Sequence, residues 1–182
     1  ATLFKDVLGS VSTNHTNESN RNANLKQACK AINGQLIRPG ETFSYNDTLG
    51  QRTKANGYLP AGAYSGWELV QSYGGGICQA SSALYYCTLI ADMEVVERHN
   101  HGYVSAYMPF GMDATVDWSG PDYKFKNTTE YPIRIEAYAS GGTVTVDVTE
   151  VTVTLYQGIA EGEGLRHAHH RAVHGGVAVR MV

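Results

Sequence analysis

The chain has 182 residues, with 17 acidic side chains against 14 basic ones and a formal net charge of -3 at pH 7. This length supports one domain, or one domain with a tail, whose core is large enough to fold without a metal or disulfide scaffold. The charge and the lack of any basic run argue against nucleic acid as a partner. No stretch approaches the roughly 20 apolar residues of a membrane span, so we expect no membrane contact from this segment.

Residues 1–156 carry the periodic patterns and form the predicted catalytic domain, whereas residues 157–182 lose all periodicity. This tail holds four of the seven histidines, which are His167, His169, His170 and His174. They offer ligands for adventitious metal binding, but an irregular or disordered end is the simpler interpretation. The abrupt start at Ala1 is typical of a segment taken from a longer, exported protein.

The first half of the chain predicts a strand, a helix and a long loop. Leu8–Ser12 alternates like a strand, and an apolar stripe predicts a helix from about Asn24 to Asn33. Gln35–Leu49 reads as extended, with a type II turn at Arg38–Glu41. Leu59–Gly76 is small, aromatic and glycine-rich, which favours a loop that approaches a ligand.

Cys78 follows three glycines and an isoleucine and lies two residues before the start of the predicted helix Ala80–Met93. Gly75 and Gly76 let the chain turn sharply and leave room for a substrate. The helix start offers free N–H groups and the positive end of a dipole, both of which favour a thiolate. The pattern therefore predicts an activated thiol.

The other two cysteines fit the core. Cys87 lies in an apolar stripe of the same helix, roughly half a turn away from Cys78, and Cys29 lies in the stripe of the earlier helix. Two buried thiols and a Cys29–Cys87 disulfide are both open interpretations. The spacing contains no zinc pattern, so we expect neither a metal nor a cofactor.

After the cysteine helix the period changes to two, which predicts an antiparallel sheet and hence an α+β fold. Tyr103–Met108 and the turn at Pro109–Gly111 suggest a hairpin. The other predicted strands are Val95–Val96, Ala114–Trp118, Tyr123–Lys126, Ile133–Tyr138 and Thr143–Val148. Val151–Tyr156 is predicted either to extend the last strand or to start another.

The order of a cysteine, a histidine and an aspartate supplies a nucleophile, a base and an orienting acid. We favour His101 as the base because it enters the alternating segment, with His99 as the reserve and Asp113 as the acid. This order is similar to that of papain-like and transglutaminase-like proteins. It implies a central helix with the cysteine at its N-terminus, packed on an antiparallel sheet.

Several neighbours are candidate substrate-binding residues. Arg98 is predicted either to clamp a substrate carboxylate or to form a surface pair. Gln79 offers a backbone N–H and a side chain to an oxyanion. Tyr73 and Trp67, together with Tyr64, either line a peptide groove or pack.

An ordered series of motifs between about Leu8 and Tyr138 resembles the VanW domain, a family named from vancomycin-resistance clusters of Gram-positive bacteria. The motifs are Asn33–Gly34, Pro39–Asn46, Gly50–Arg52, Gly57–Tyr58, Gly74–Gln79, Glu97–His101, Gly111–Thr115 and Asp122–Asn127. The resemblance implies L,D-transpeptidase chemistry on peptidoglycan with Cys78 as the nucleophile. It carries over Arg98, His101 and Asp113 as motif positions, without fixing their roles.

The resulting hypothesis is an L,D-transpeptidase that crosslinks third-position residues of peptidoglycan stem peptides through a thioester. An amidase or endopeptidase would use the same site with water as acceptor, and a non-catalytic wall-binding module would use the glycines as a binding loop. Each of these functions implies an extracytoplasmic location, in the wall or anchored to the membrane by a segment outside this chain. We expect a monomer.

Overall fold

The computed structural model describes residues 3–65 and 68–151. Its elements in chain order are β1 (Phe4–Asn14), α1 (Ser19–Ile32), β2 (Leu36–Ile37), β3 (Thr42–Ser44), α2 (Tyr45–Leu49), β4 (Pro60–Ser65), β5 (Glu68–Tyr73), α3 (Cys78–Ile90), β6 (Glu94–Glu97), β7 (Lys124–Lys126), β8 (Ile133–Ser140) and β9 (Thr143–Val151). All the strand pairs between these elements are antiparallel. The predicted α+β class is confirmed, and the papain-like element order stays a prediction.

The main layer is a four-stranded sheet in the order β1-β9-β8-β2, and α1 and α3 pack on it. One face of the sheet is apolar because alternate residues of its central strands are buried, among them Ile133, Ile135, Val146 and Val148. Helix α3 lies so close to β1 that a Cβ on Gly9 would stand 2.4 Å from the Cys87 carbonyl oxygen. Glycine at this position therefore allows the helix to lie directly over the strand.

Cys29 and Cys87 both lie in this core, as predicted, and each is almost fully buried. All three cysteines are free thiols, so the alternative of a Cys29–Cys87 disulfide is excluded. Two smaller sheets complete the fold, one in the order β3-β7-β6 and one formed by β4 and β5.

Two predictions in the first half were wrong. The segment 59–76, predicted as a loop, contains the hairpin β4–β5, in which Pro60 pairs with Tyr73 at the base. The hairpin is largely exposed, so its sequence lacks the apolar alternation that identifies a strand. Tyr45–Leu49 is helical rather than extended, because Ser44 caps this helix by accepting a hydrogen bond from the backbone N–H of Asp47 at 3.1 Å. The turn at Arg38–Glu41 is present, with Gly40 at φ 77° and Glu41 N–H donating to the Arg38 carbonyl.

The predicted strands Tyr103–Met108 and Ala114–Trp118 were also wrong, since residues 98–123 form an irregular loop without a strand. Side chains of other elements satisfy this loop's backbone in place of a neighbouring strand. Ser82 accepts from the Ala114 N–H at 2.9 Å, Ser81 donates to the Ala114 carbonyl at 2.7 Å, and Thr13 donates to the Tyr107 carbonyl at 2.6 Å. Side chains of α3 and β1, and not a neighbouring strand, therefore hold this loop.

Residues 152–182 lie outside the described part of the chain, and so do most of the predicted Val151–Tyr156 strand and the whole predicted tail. No helix among the described residues combines the length and the apolar character needed to cross a membrane.

Candidate functional site

Cys78 is the first residue of α3, and a tight glycine turn leads into it. Gly74 and Gly76 have φ values of 81° and 99°, which residues with a Cβ rarely adopt. The N–H groups of Ile77, Gln79 and Ala80 each donate to the carbonyl three residues earlier. The N–H of Cys78 itself has no acceptor among residues 3–65 and 68–151. The thiol is thus half-buried beside a free backbone donor.

Contacts within the protein are enough to explain glycine at Gly75 and Gly76, the two positions that the sequence predicted to leave room for a substrate. A Cβ on Gly75 would lie 2.3 Å from the Ala61 carbonyl oxygen, and one on Gly76 would lie 2.8 Å from Cγ of Arg21. The buried Asn24 amide fixes the same turn by donating to the Gly75 carbonyl at 3.0 Å. Contact of Gly75 and Gly76 with a substrate stays a prediction.

The Cys78 sulfur faces the irregular loop. Its nearest partners there are the Val116 carbonyl oxygen at 3.6 Å and the Thr115 hydroxyl at 3.9 Å. The His101 ring also lies near the thiol, close enough for each group to shift the pKa of the other. The loop therefore supplies the contacts that the sequence assigned to a strand.

Asp113 holds the His101 ring. Its Oδ2 atom accepts a hydrogen bond from Nδ1 of His101 at 2.6 Å and another from the His101 backbone N–H at 2.7 Å. Both side chains are about nine-tenths buried. With Nδ1 committed to the carboxylate, Nε2 is the ring nitrogen left for the sulfur.

Arg98 lies behind Asp113. Its Nη2 atom stands 3.1 Å from Oδ1 of Asp113 and 3.0 Å from the Gly111 carbonyl oxygen, while Nε donates to the Asp113 carbonyl at 2.7 Å. Its guanidinium also lies over the Tyr85 ring. These contacts hold the aspartate, and a contact between Arg98 and a substrate carboxylate stays a prediction.

The three groups shift each other's pKa in the direction that an ion pair requires. Burial raises the pKa of Cys78, but its interactions with the His101 side chain and with the Val116 backbone bring that pKa below its ordinary value. Burial lowers the pKa of His101, but its interactions with Cys78 and Asp113 raise it above its ordinary value. For Asp113, burial raises the pKa, while the His101 hydrogen bonds and the charges of His101 and Arg98 lower it overall. The arrangement favours a thiolate beside an imidazolium.

The structure distinguishes the two candidate bases. Nε2 of His99 lies 3.2 Å from the Glu97 carboxylate, and about half of the His99 side chain is exposed. His101, the favoured base, is the one brought to the sulfur. Its catalytic role, like those of Cys78 and Asp113, stays a prediction.

Gln79 is fully buried, and its donors are already in use. Its side chain donates to the Thr13 hydroxyl at 3.2 Å and to the Asn14 carbonyl at 2.9 Å, and its backbone N–H donates to the Gly76 carbonyl at 3.0 Å. It therefore has no donor left for an oxyanion in this structure. The free N–H of Cys78 is better placed for that role.

The aromatic residues that the sequence suggested for a peptide groove lie in different parts of the structure. Tyr73 ends β5 and is 43% exposed, while Trp67 lies outside the described residues. Tyr64 contacts Tyr103, with ring centroids 4.1 Å apart, and the Tyr103 ring lies 5.3 Å from the His101 ring. The hairpin β4–β5 thus reaches the loop that carries the histidine.

Sequence reasoning missed several residues of this site. Tyr103 and Tyr107 follow His101 at alternate positions, a signal that had been assigned to a strand. Arg21 and Asn24 gave no signal, since they lie in a polar stretch far along the chain from Cys78. Within the described residues no group of three or more histidine, cysteine, aspartate or glutamate side chains is arranged to hold a metal ion.

Comparison with known proteins gives a family and two relatives. The family model described as "VanW like protein" matches residues 20–149. The chain is 41% identical over 133 residues to the uncharacterized protein YoaR of Bacillus subtilis, which covers 73% of this chain and 44% of the relative. It is 32% identical over 123 residues to the vancomycin B-type resistance protein VanW of Enterococcus faecalis, covering 65% of this chain and 45% of the relative. The chain therefore spans less than half the length of these relatives, and no solved structure matches it significantly.

Proposed function

The chain belongs to the VanW-like protein family, and we propose that it is a cysteine-dependent acyltransferase, an L,D-transpeptidase acting on peptidoglycan stem peptides. The observation that carries the proposal is the group formed by the Cys78 thiol, the His101 ring and the Asp113 carboxylate, in which Asp113 accepts a hydrogen bond from the ring and the ring and the thiol shift each other's pKa. The substrate class follows from the resemblance and from the relative named as a vancomycin-resistance protein.

In the first half-reaction, the Cys78 thiolate attacks the carbonyl carbon that joins the third-position residue of a donor stem to its terminal D-alanine. A carbon–sulfur bond forms, the amide carbon–nitrogen bond breaks, and the His101 imidazolium donates its proton to the departing amine. D-Alanine leaves, and a thioester between Cys78 and the donor stem remains.

In the second half-reaction, the side-chain amine of a neighbouring stem attacks the thioester carbonyl. The neutral His101 ring accepts the proton of this amine, and the carbon–sulfur bond breaks to release the crosslinked stems. The product joins two third-position residues, so it does not need the terminal D-Ala-D-Ala donor.

Each half-reaction passes through a tetrahedral intermediate whose oxygen carries a negative charge. The free N–H of Cys78 at the start of α3 is the backbone donor best placed to stabilise it. Asp113 keeps the proton on Nδ1 of His101, which leaves Nε2 for proton transfer, and Arg98 fixes the aspartate. Both residues act by positioning.

Acting on peptidoglycan would place the domain outside the cytoplasm, in the wall or held at the membrane by a segment outside this chain. Stem peptides are the partners that this function requires. The net negative charge of the chain gives no support to nucleic acid as a partner.

The test is mass spectrometry of disaccharide-tetrapeptide muropeptides incubated with the protein. We expect a dimer joined through third-position residues together with free D-alanine. Cys78→Ala and His101→Gln should form neither product. His99→Gln is the matched control and should remain active, because His99 contacts Glu97 and not the sulfur.

The same experiment separates the alternatives. Release of cleaved stem peptides without crosslinks would identify water as the acceptor and support an amidase or endopeptidase. Equal product from the unchanged protein and Cys78→Ala would remove Cys78 from the mechanism. Wall binding without any product would favour the non-catalytic module.

A further inference from the structure

Arg21 brings a second guanidinium to the site, from the first turn of α1. Its Nη2 atom donates to Oε1 of Gln79 at 2.8 Å. A Cβ built on Gly76 would lie 3.1 Å from Nη1 of Arg21. Arg21 thus contacts the residues on both sides of Cys78 in the sequence, two positions before it and one after it.

The Arg21 guanidinium has donors to spare. Its Nε atom is buried and has no hydrogen-bond partner, which is uncommon for a charged group. No aspartate or glutamate among residues 3–65 and 68–151 forms an ion pair with it. The planar fork of an arginine fits a carboxylate through two parallel hydrogen bonds.

The charge of Arg21 also acts on Tyr103, an aromatic residue beside the histidine. Burial raises the pKa of Tyr103 to about 12, and the positive charge of Arg21 opposes that rise. The Tyr103 ring lies 5.3 Å from the His101 ring. Tyr103 therefore lies beside the His101 ring and within the range of the Arg21 charge.

We propose that Arg21 binds the C-terminal carboxylate of the donor peptide, so that the substrate class is peptides with a free carboxylate one residue beyond the attacked carbonyl. This inference rests on the proposed function. In the donor peptide, the C-terminal carboxylate lies one residue beyond the scissile carbonyl. Arg21 likewise lies close to the nucleophile, because it contacts Gly76 and Gln79, the neighbours of Cys78 in the chain. The unpaired cation would then hold the leaving residue while its amine departs.

The binding test uses Cys78→Ala, which removes the chemistry, and isothermal titration with a synthetic stem tetrapeptide as the free acid or as the C-terminal carboxamide. The free acid should bind at least about tenfold more tightly than the carboxamide, as expected for a charge-assisted hydrogen bond. Adding Arg21→Gln should make the affinities for the free acid and the carboxamide equal. Adding Arg21→Lys, which keeps the charge without the planar fork, should leave a smaller preference for the free acid. Adding Arg38→Gln, an exposed arginine paired with Glu41, should leave the ratio unchanged.

Equal binding of acid and carboxamide to Cys78→Ala, an unchanged ratio after Arg21→Gln in a protein with a normal melting temperature, or no binding of either peptide would each overturn the proposal. If the Arg21→Gln protein does not fold, Arg21→Lys takes its place in the same binding test. This readout is independent of turnover. A ratio that depends on Arg21, in a protein that forms no product, would support the carboxylate site and remove the transferase function.

Discussion

Oδ2 of Asp113 accepts hydrogen bonds from both Nδ1 and the backbone N–H of His101, at 2.6 Å and 2.7 Å. One carboxylate oxygen therefore fixes both the ring and the backbone of the histidine. Rotation of the ring would break the shorter bond, and movement of the loop would break the other. This double contact fixes the His101 ring near Cys78 without a supporting strand, with Nδ1 committed to the carboxylate.

The pH dependence of Cys78 should change when Asp113 is neutralised. The pKa of Cys78 lies below its ordinary 9.0 and that of His101 above its ordinary 6.5, so the thiolate forms below pH 9.0 and the imidazolium persists above pH 6.5. Asp113→Asn removes a charge that raises the His101 pKa, so the imidazolium is lost at lower pH and the Cys78 pKa rises. The rate of iodoacetamide alkylation against pH should show a midpoint below 9.0 that moves upward in the variant.

Asp117→Asn is the matched control for this pH experiment, since Asp117 is an exposed carboxylate of the same loop whose Oδ2 contacts Ser119. Its alkylation midpoint should equal that of the unchanged protein. Identical midpoints in all three proteins would show that Asp113 does not set the protonation of the thiol.

Alkylation should also select one thiol of the three. Burial raises the pKa of Cys29 to about 12, and burial with the nearby charge of Asp147 raises that of Cys87 further. Cys78 combines a lowered pKa with partial exposure. Brief treatment of the native protein with iodoacetamide at pH 7 should give one adduct, located at Cys78 by peptide mapping.

Unfolding in guanidinium chloride before the treatment should make all three cysteines reactive. Labelling of Cys29 or Cys87 in the native protein at a rate similar to that of Cys78 would contradict the assignment of these two thiols to the core.

The sequence predicted the parts of this fold that depend on local periodicity. The stripes that contain Cys29 and Cys87 repeat every three or four residues, and both cysteines lie in the core. The glycines before Cys78 fixed the helix start within two residues of the predicted one. Both features are set by residues that are close together in the chain.

The errors and omissions come from long-range contacts. Tyr103–Met108 alternates like a strand, but Thr13 and α3 satisfy the backbone of its loop. Arg21 and Asn24 reach the glycine turn from a helix about 50 residues earlier in the chain. No local pattern encodes such a contact, because the partner's position depends on how the whole sheet is assembled.

Gly75→Ala should destabilise the protein. The new Cβ would meet the Ala61 carbonyl at 2.3 Å, and backbone on both sides leaves neither partner free to rotate away. Overpacking of this kind costs about 1–3 kcal/mol, which corresponds to a fall in melting temperature of about 3–10 °C for a domain of this size. Differential scanning calorimetry measures the change.

Gly120→Ala is the control for this substitution, since a Cβ on Gly120 meets nothing within 4 Å. Its melting temperature should stay close to that of the unchanged protein. An equally stable Gly75→Ala variant would mean that β4 is not held against the glycine turn.

Arg98→Lys should separate the two roles predicted for this arginine. The guanidinium contacts Asp113 twice and the Gly111 carbonyl once, and a lysine ammonium has no planar fork with which to reproduce that set. If Arg98 positions Asp113, kcat should fall on the order of tenfold, equivalent to losing about one charge-assisted hydrogen bond, while KM changes little. If Arg98 instead binds the substrate, KM should rise and kcat should hold.

Steady-state release of D-alanine gives both constants. Arg38→Lys, at an exposed arginine paired with Glu41, should change neither. A rise in KM alone would show that Arg98 binds the substrate and that His101 positions Asp113 without help from Arg98.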